Sequence, residues 1–262
     1  MPLHRTAAAG PALAASAAIG PYFAWEAWSA GAGWHPFTDL LTASVAAQRV
    51  AVARSTLVSA FGLTEEDVPV RVVASVYFMG VAARLLSPPL GAAVAGGALP
   101  LATRANLWWR PVPAGPMPVA YGVVPALPTA DLSPAEVASA LVAGPLAETV
   151  TPLLELFRTA FLLSPQVLWG NVASALAGAV GVLADTMPRH AARAGEVLDH
   201  ALTLAPLAGA GTVVRPDPEQ ARRFLVRSNC CLYYRIPGGG TCGDCVLTPE
   251  ADRQRHWSSL LQ

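Results

Sequence analysis

Apolar residues recur at intervals of three and four along residues 38–61, which predicts an amphipathic helix with Thr38 as its N-cap. Residues 70–86 fit either a helix or a strand by period alone, but their length and alanine content favour a helix. The sequence Ser-Pro-Pro at 87–89 is expected to interrupt that helix, because proline lacks the backbone N–H that a helix interior uses. Residues 90–97 would then form a separate short helix.

Short apolar segments elsewhere in the chain predict strands. Residues 106–110 and 118–121 have strand character and are joined by a proline-rich turn. Residues 231–236 combine cysteine, leucine, tyrosine and isoleucine and also predict a strand, which ends at a Pro-Gly-Gly-Gly turn over 237–240. The β-structure is therefore expected to be limited and antiparallel.

Helical patterning returns after residue 132. Ser133, followed by Pro134 and Glu136, matches a helix start in which the serine and the glutamate cap each other's backbone groups. Three further helical segments are predicted over residues 146–163, 165–185 and 188–204. Most of the chain between the N-terminal segment and the cysteines is therefore predicted to be helical.

Together these elements predict a mainly α-helical protein with a small antiparallel β element, which is an α+β fold. Composition divides the chain into three parts. Residues 1–35 form an alanine-rich N-terminal segment that is expected to be partly disordered, and residues 36–216 form the helical body. Residues 217–262 form a cysteine-containing C-terminal segment that is expected to pack on this body.

The N-terminal segment has some features of an exported or membrane-bound chain, but each is incomplete. Residues 6–27 carry no charge before Glu26, as a signal peptide would. The stretch is rich in alanine and is broken by Gly-Pro pairs at 10–11 and 20–21, so it makes a poor membrane span. It also lacks a twin-arginine signal. The protein is expected to be cytoplasmic, and a mean hydropathy of +0.44 adds peripheral contact with the inner membrane as a further expectation.

Charge and composition argue against several classes of function. The 17 basic residues balance the 17 acidic ones, so the net charge gives no reason to expect a nucleic-acid partner. All 17 basic residues are arginines. The absence of lysine excludes a Schiff-base lysine and a P-loop lysine.

All four cysteines lie within sixteen residues near the C-terminus, at Cys230, Cys231, Cys242 and Cys245, with the spacing CC-x10-CxxC. Four soft thiolates in a short loop suit a structural zinc ion or an iron–sulfur cluster. Disulfides and a redox-active CxxC are two further interpretations. Adjacent cysteines do not readily bond to one another, however, and a redox CxxC would leave the CC pair unexplained.

A [2Fe–2S] cluster is consistent with this spacing, because each iron takes two thiolates, whereas a vicinal pair is unusual at zinc. The glycines at 238–240 and Gly243 would let backbone amides approach the sulfur atoms closely. Arg223, Arg227 and Arg235 flank the cysteines and could offset the negative charge of such a cluster.

The run RSNCCLYYRIPGGGTCGDCVL resembles the C-terminal motif of the ferric-siderophore reductase family represented by FhuF. In that family the CC-x10-CxxC motif binds a [2Fe–2S] cluster, and all four ligand positions match here. A weaker match is the segment Leu168-Trp-Gly-Asn171, which looks like the family's LWGN segment. The stretch 71–92, with Arg84 and Pro88, is also compatible, so the resemblance extends from about residue 45 onward.

The resemblance implies one-electron reduction of an Fe(III)-siderophore, with release of Fe(II) in the cytoplasm. Cys230, Cys231, Cys242 and Cys245 would be the metal ligands, the cofactor-binding residues and the catalytic residues. The implied partners are a ferric siderophore, such as one of the hydroxamate type, and an external electron donor such as a ferredoxin or a flavin reductase. The alternative is a non-catalytic protein, stabilised by zinc or by the cluster, that binds siderophores or serves as an accessory factor.

Overall fold

The protein is mainly helical, as predicted: 56% of the chain is helix, and small sheets accompany it. The computed structural model describes residues 7–31, 33–113 and 115–261. In these ranges the α-helices are α1 (Gly10–Ala17), α2 (Ala43–Phe61), α3 (Val70–Ala95), α4 (Pro134–Leu141), α5 (Thr151–Ala160), α6 (Pro165–Thr186), α7 (Ala191–Ala201) and α8 (Glu250–Leu260). Helix α3 lies at the centre of the body, where it packs against α1, α2 and α6.

Three small sheets accompany the helices, and nearly all of their strand pairs are antiparallel. Their strands are β1 (Ala7–Ala8), β2 (Glu26–Ala27), β3 (His35–Pro36), β4 (Ala98–Pro100), β5 (Leu107–Trp109), β6 (Val119–Tyr121), β7 (Pro125–Pro128), β8 (Gly211–Val214) and β9 (Phe224–Arg227). The strand orders are β1-β7-β4, β2-β6-β5-β3 and β8-β9. The predicted antiparallel pair is confirmed as β5 and β6, with Trp108 opposite Ala120. The β2–β6 pair is parallel.

The predicted interruption of α3 at its two prolines is wrong, because Pro88 and Pro89 lie inside one continuous helix. A proline at position 88 leaves the carbonyl of Arg84 without its usual helical partner. The indole N–H of Trp25 donates to that carbonyl at 2.9 Å instead. A distant tertiary contact therefore supplies the bond that the helix lost, and the helix continues through the prolines.

The described part of the N-terminal segment packs on α3. A Cβ on Gly96 would lie 2.7 Å from the backbone of Ala12. The backbone of α1 and the C-terminal end of α3 therefore approach as closely as glycine allows. The buried guanidinium of Arg84 donates to the carbonyl groups of Pro21 and Ala24, which fixes the segment further. The division of the chain at residues 35 and 216 stays a prediction.

The helix predicted over 146–163 begins earlier and is continuous from Pro134 to Ala160. Ser133 and Glu136 form the predicted capping box at its start. The middle part, Val142–Val150, is a π-helix with Pro145 inside it. Proline has no N–H to donate to a carbonyl four or five residues back, so an irregular helical segment around Pro145 agrees with the disruption that an interior proline causes.

Two other helix predictions differ in detail from the structure. The predicted helix over 165–185 is confirmed as α6, whose first turn is capped by the side chain of Ser164. The first predicted helix begins at Ala43 rather than Thr38, since residues 37–41 form a 3₁₀ turn. The N-cap of α2 is therefore Thr42, and its side chain makes no capping bond.

Three helical stretches are long and apolar enough to cross a membrane by length and composition: α3, the continuous helix Pro134–Ala160, and α6. More than half of the most apolar window of each is buried inside the protein, at 61%, 56% and 56%. Packing in the core thus accounts for much of their apolar character, and the structure is consistent with a soluble protein.

Candidate metal centre

The cysteines lie on two loops that backbone hydrogen bonds hold together. Strand β9 ends at Arg227, three residues before the CC pair. The backbone N–H of Arg227 donates to the carbonyl of Asp244, at 3.0 Å, and Asp244 lies between Cys242 and Cys245. The first cysteine loop is thereby joined directly to the CxxC loop.

The predicted strand over 231–236 is wrong: the CC pair leads into a left-handed residue and a 3₁₀ turn, Tyr233–Arg235. Leu232 has a φ of 75°, which is uncommon for a residue with a side chain and costs about 1–2 kcal/mol. Its backbone N–H donates to Cys230 Sγ at 3.3 Å. The strained turn therefore folds the backbone back onto the sulfur of Cys230. In an extended strand, the side chains of Cys230 and Cys231 would instead point to opposite faces.

The four thiols are free and lie on the two loops. Cys231 and Cys245 are each 1% exposed, while Cys230 and Cys242 are partly exposed. Cys231 Sγ lies 3.9 Å from Cys242 Sγ. That separation is close to the ~3.8 Å edge of a tetrahedron with metal–sulfur bonds of about 2.3 Å. Cys230 interacts in turn with Cys245, so each loop gives one thiol to each of two pairs.

The thiols of these pairs share their protons unequally. The pKa of Cys231 is lowered to about 6, chiefly by its hydrogen bond with Cys242, and also by a backbone amide and the charge of Arg227. The same hydrogen bond is the largest cause that raises the pKa of Cys242, and burial of the thiol is the second. Burial raises the pKa of Cys230 to about 11. The hydrogen bond between Cys231 and Cys242 therefore favours the thiolate form of Cys231, which is the form that binds a metal.

Backbone amides stabilise the sulfur atoms, but not from the glycines that the sequence suggested. Besides Leu232, the backbone N–H of Leu247 donates to Cys245 Sγ at 3.4 Å. Gly238 and Gly240 have φ values of 78° and 69° and thus provide the left-handed turn between the two loops. The glycines shape the loop, and the amides two residues after a cysteine make the bonds to sulfur.

The three arginines expected to offset negative charge have different surroundings. Arg223 pairs with Asp199 at 3.1 Å, and Arg235 lies over the ring of Tyr234 on the surface. Arg227 alone of these three is fully buried, with 1% of its surface exposed. Arg227 is therefore the only one of these three arginines whose charge lies in the protein interior.

A chain of hydrogen bonds connects Arg227 and the CC pair to the two central helices. The guanidinium of Arg227 donates to Asn171 Oδ1 on α6. The amide of Asn171 donates to the carbonyl and to the hydroxyl oxygen of Ser75 on α3, at 2.8 and 2.9 Å. Ser75 Oγ donates to the carbonyl of Cys231 at 2.8 Å. The Leu-Trp-Gly-Asn segment thus anchors the cysteine loop, and nothing in the sequence singled out Ser75.

Gly170, the residue before Asn171, has a packing role at this junction. A Cβ at this position would lie 3.1 Å from a terminal nitrogen of Arg227. That distance is closer than ordinary van der Waals contact, so the buried guanidinium needs the space that a glycine leaves. Gly170 therefore leaves space for the guanidinium of Arg227, and Asn171 accepts a hydrogen bond from it.

Two cavities share one wall, and the first of them lies beside the CxxC loop. The first, about 310 Å³, is bordered by Gly243 and Asp244 and also by the side chains of Arg222 and His256. The second, about 570 Å³, is apolar and lies between α3, α6 and the segment around Pro21. Their common wall is formed by Ser174, Gly178 and Val182 of α6. We call them the polar cavity and the apolar cavity.

The donor set fits a centre with two irons. Within the described residues, no three His, Cys, Asp or Glu side chains surround a single-ion position. Four thiols in two pairs are present, and a [2Fe–2S] cluster takes two thiolates on each iron. The cysteine site is thus suited to a [2Fe–2S] cluster.

Comparison with known proteins agrees with this assignment. A family model described as "FhuF 2Fe-2S C-terminal domain" matches residues 227–247, which include all four cysteines. This match confirms the resemblance of the cysteine segment and supports a [2Fe–2S] cluster as its cofactor. No curated protein matches the chain.

Proposed function

We propose that this protein is a [2Fe–2S] ferric-siderophore reductase that releases iron as Fe(II) in the cytoplasm. The observation that carries the proposal is the polar cavity, whose wall includes the two residues between Cys242 and Cys245. Siderophores hold Fe(III) through hard oxygen ligands and hold Fe(II) far more weakly. A chelate in this cavity would lie against the loop that carries two cluster ligands.

The [2Fe–2S] cluster, when bound, supplies one-electron chemistry. The net reaction moves one electron from an external donor, such as a ferredoxin or a flavin reductase, to the chelated Fe(III), which leaves as Fe(II). Cys230, Cys231, Cys242 and Cys245 hold the cluster, and only Cys230 and Cys242 are partly exposed.

Residues of the polar cavity suit a chelate built from oxygen ligands. Gly243 has no side chain, so the loop between the two cysteines leaves room for a bulky complex. Arg222 is held by an ion pair with Asp185, and its Nε atom is buried without a hydrogen-bond partner. Arg222 and His256 are thus donors that can face the oxygen atoms of a chelate.

The direct test is reoxidation of the reduced protein by a ferric chelate in the absence of oxygen. We expect a ferric hydroxamate siderophore to restore the visible absorption of the oxidised cluster, with equimolar Fe(II) captured by a chromogenic chelator. The Ga(III) complex of the same siderophore is the matched control, since it has the same shape but accepts no electron. Reoxidation that is no faster with the Fe(III) complex than with the Ga(III) complex would contradict the proposal.

Two glycine substitutions test whether the chelate lies in the polar cavity. A Cβ added at Gly178 or at Gly80 would meet no atom within 4 Å, so both positions accept a larger side chain. Gly178 borders both cavities, whereas Gly80 borders the apolar one alone. We expect Gly178→Phe to raise the chelate concentration for half-maximal reoxidation about tenfold, which corresponds to roughly 1.4 kcal/mol of binding.

Gly80→Phe is the control, and it should leave that concentration unchanged. Equal effects of the two substitutions, or no effect of either, would show that the chelate does not bind in the polar cavity. The visible spectrum of each variant reports whether the cluster itself is intact.

The alternative function is siderophore binding without reduction, and the apolar cavity favours it. A volume of about 570 Å³ falls in the range of small-molecule sites. A binding protein would take up the Fe(III) and Ga(III) complexes equally and would leave a reduced cluster reduced. Colourless protein that contains one zinc ion would support a zinc-stabilised form of this alternative.

A further inference from the structure

Arg227 is a buried cation with no acidic partner among the residues that the structure describes. Its guanidinium contacts the amide oxygen of Asn171 and the sulfur of Met79, both uncharged. Its Nε atom is buried and has no hydrogen-bond partner. Arg223, which lies next to the cysteine segment and is only partly buried, pairs with Asp199.

A buried charge without a counter-charge is strongly unfavourable, since the protein interior does not solvate ions as water does. Arg227 is nevertheless held in a defined position, because Gly170 leaves space for its guanidinium and Asn171 accepts a hydrogen bond from it. An anion bound beside Arg227 would supply the missing counter-charge. The cysteine site is the place for such an anion, because Arg227 lies three residues before the CC pair and its backbone N–H donates to the carbonyl of Asp244, between Cys242 and Cys245.

We infer that Arg227 is the internal counter-charge of the [2Fe–2S] cluster, that it raises the reduction potential of the cluster, and that Asn171 fixes its position. A cluster with four thiolates is an anion, and reduction makes it more negative by one charge. A fixed positive charge nearby stabilises the reduced state more than the oxidised state. The low polarity of the site makes this effect larger than it would be at the surface.

This inference concerns the cluster and not its substrate, so it can be tested without a chelate. The measurement is a redox titration of the loaded full-length protein, followed by its visible absorption. We expect Arg227→Gln to make reduction harder by at least a factor of ten in the equilibrium constant, which for a one-electron couple is 59 mV toward lower potential. Arg227→Lys keeps the charge and should shift the potential by less than half as much.

Arg235→Gln provides the matched control. This guanidinium is also close to the CC pair in sequence, but it lies on the surface, where salt screens its charge. We expect it to change the potential little at low salt and not at all near 1 M salt. The shift caused by Arg227→Gln should persist at high salt, because the charge that it removes is buried.

Asn171→Asp keeps the inference testable if neither Arg227 variant incorporates a cluster. It places a carboxylate on the guanidinium and neutralises the charge without removing it, so the potential should fall as it does in Arg227→Gln. A loaded Arg227→Gln protein with the wild-type potential would overturn the inference. So would a Lys variant that shifts as far as the Gln variant, or an Asn171→Asp protein whose potential is unchanged. None of these outcomes bears on whether the protein reduces siderophores.

Discussion

Replacing Cys242 with serine is expected to abolish the colour of the protein and its release of iron from a ferric chelate together. Serine offers a hard oxygen in place of a soft thiolate, which disfavours iron–sulfur binding. Cys242 also forms a close sulfur pair with Cys231, so its loss breaks one of the two thiol pairs. We expect the fall in activity to exceed the ~10–100-fold effect that is typical of losing a residue outside the metal ligands.

The measurement combines visible absorption, iron and sulfide content, and Fe(II) release from a hydroxamate chelate. Ser228→Ala is a suitable control because Ser228 is exposed and lies two residues before Cys230, yet its side chain makes no hydrogen bond that the structure records. The control should keep both colour and activity. Iron release that survives in Cys242→Ser would refute the catalytic role assigned to this cysteine.

The second large effect is expected from Asn171→Ala, which removes the link between the cysteine loop and the helical body. The substitution leaves the buried guanidinium of Arg227 without its oxygen acceptor and removes the side-chain donor to the carbonyl of Ser75. Losing the acceptor of a buried charged donor costs on the order of 3 kcal/mol. We expect a loss of stability of that size and faster loss of the cluster at elevated temperature.

Urea unfolding of the loaded protein, followed by circular dichroism, measures this change. Gln166→Ala is the matched control, since Gln166 lies on the same helix but is exposed. Its effect should stay within about 0.5 kcal/mol, as is usual for surface positions. Equal stability of the two variants would mean that the hydrogen bonds of Asn171 do not hold the cysteine loop.

The cysteine site could be predicted from the sequence because its ligands are close together in the chain. Four soft ligands within sixteen residues define the metal chemistry, whatever the rest of the fold does. The mainly α fold was predictable for a similar reason, since the apolar period of each helix is local. Capping at Ser133 and Ser164 also depends on neighbouring residues, and both caps are present.

The anchoring of the site was not predictable, because it depends on contacts between distant positions. Asn171 bonds to Ser75, 96 positions away, and to Arg227, 56 positions away. The same reason explains the error at Pro88. A proline inside a helix usually ends it, but Trp25, which is distant in the sequence, donates the hydrogen bond that the carbonyl of Arg84 had lost.

The error over 231–236 has a local cause. Tyrosine and isoleucine favour extended backbone, and that preference indicated a strand. The close approach of the cysteine sulfurs needs a left-handed residue at Leu232, and this need overrode the preference of the side chains.

The hydrogen bond from Ser75 to the Cys231 carbonyl has a consequence for protein engineering. The recognisable cysteine motif spans residues 227–247, but the side chains that hold it, Ser75 and Asn171, belong to helices far outside that span. The motif is thus not a portable module. Grafted onto an unrelated helical scaffold, it would keep its four thiols and lose both the support of its backbone and the residue that accommodates Arg227.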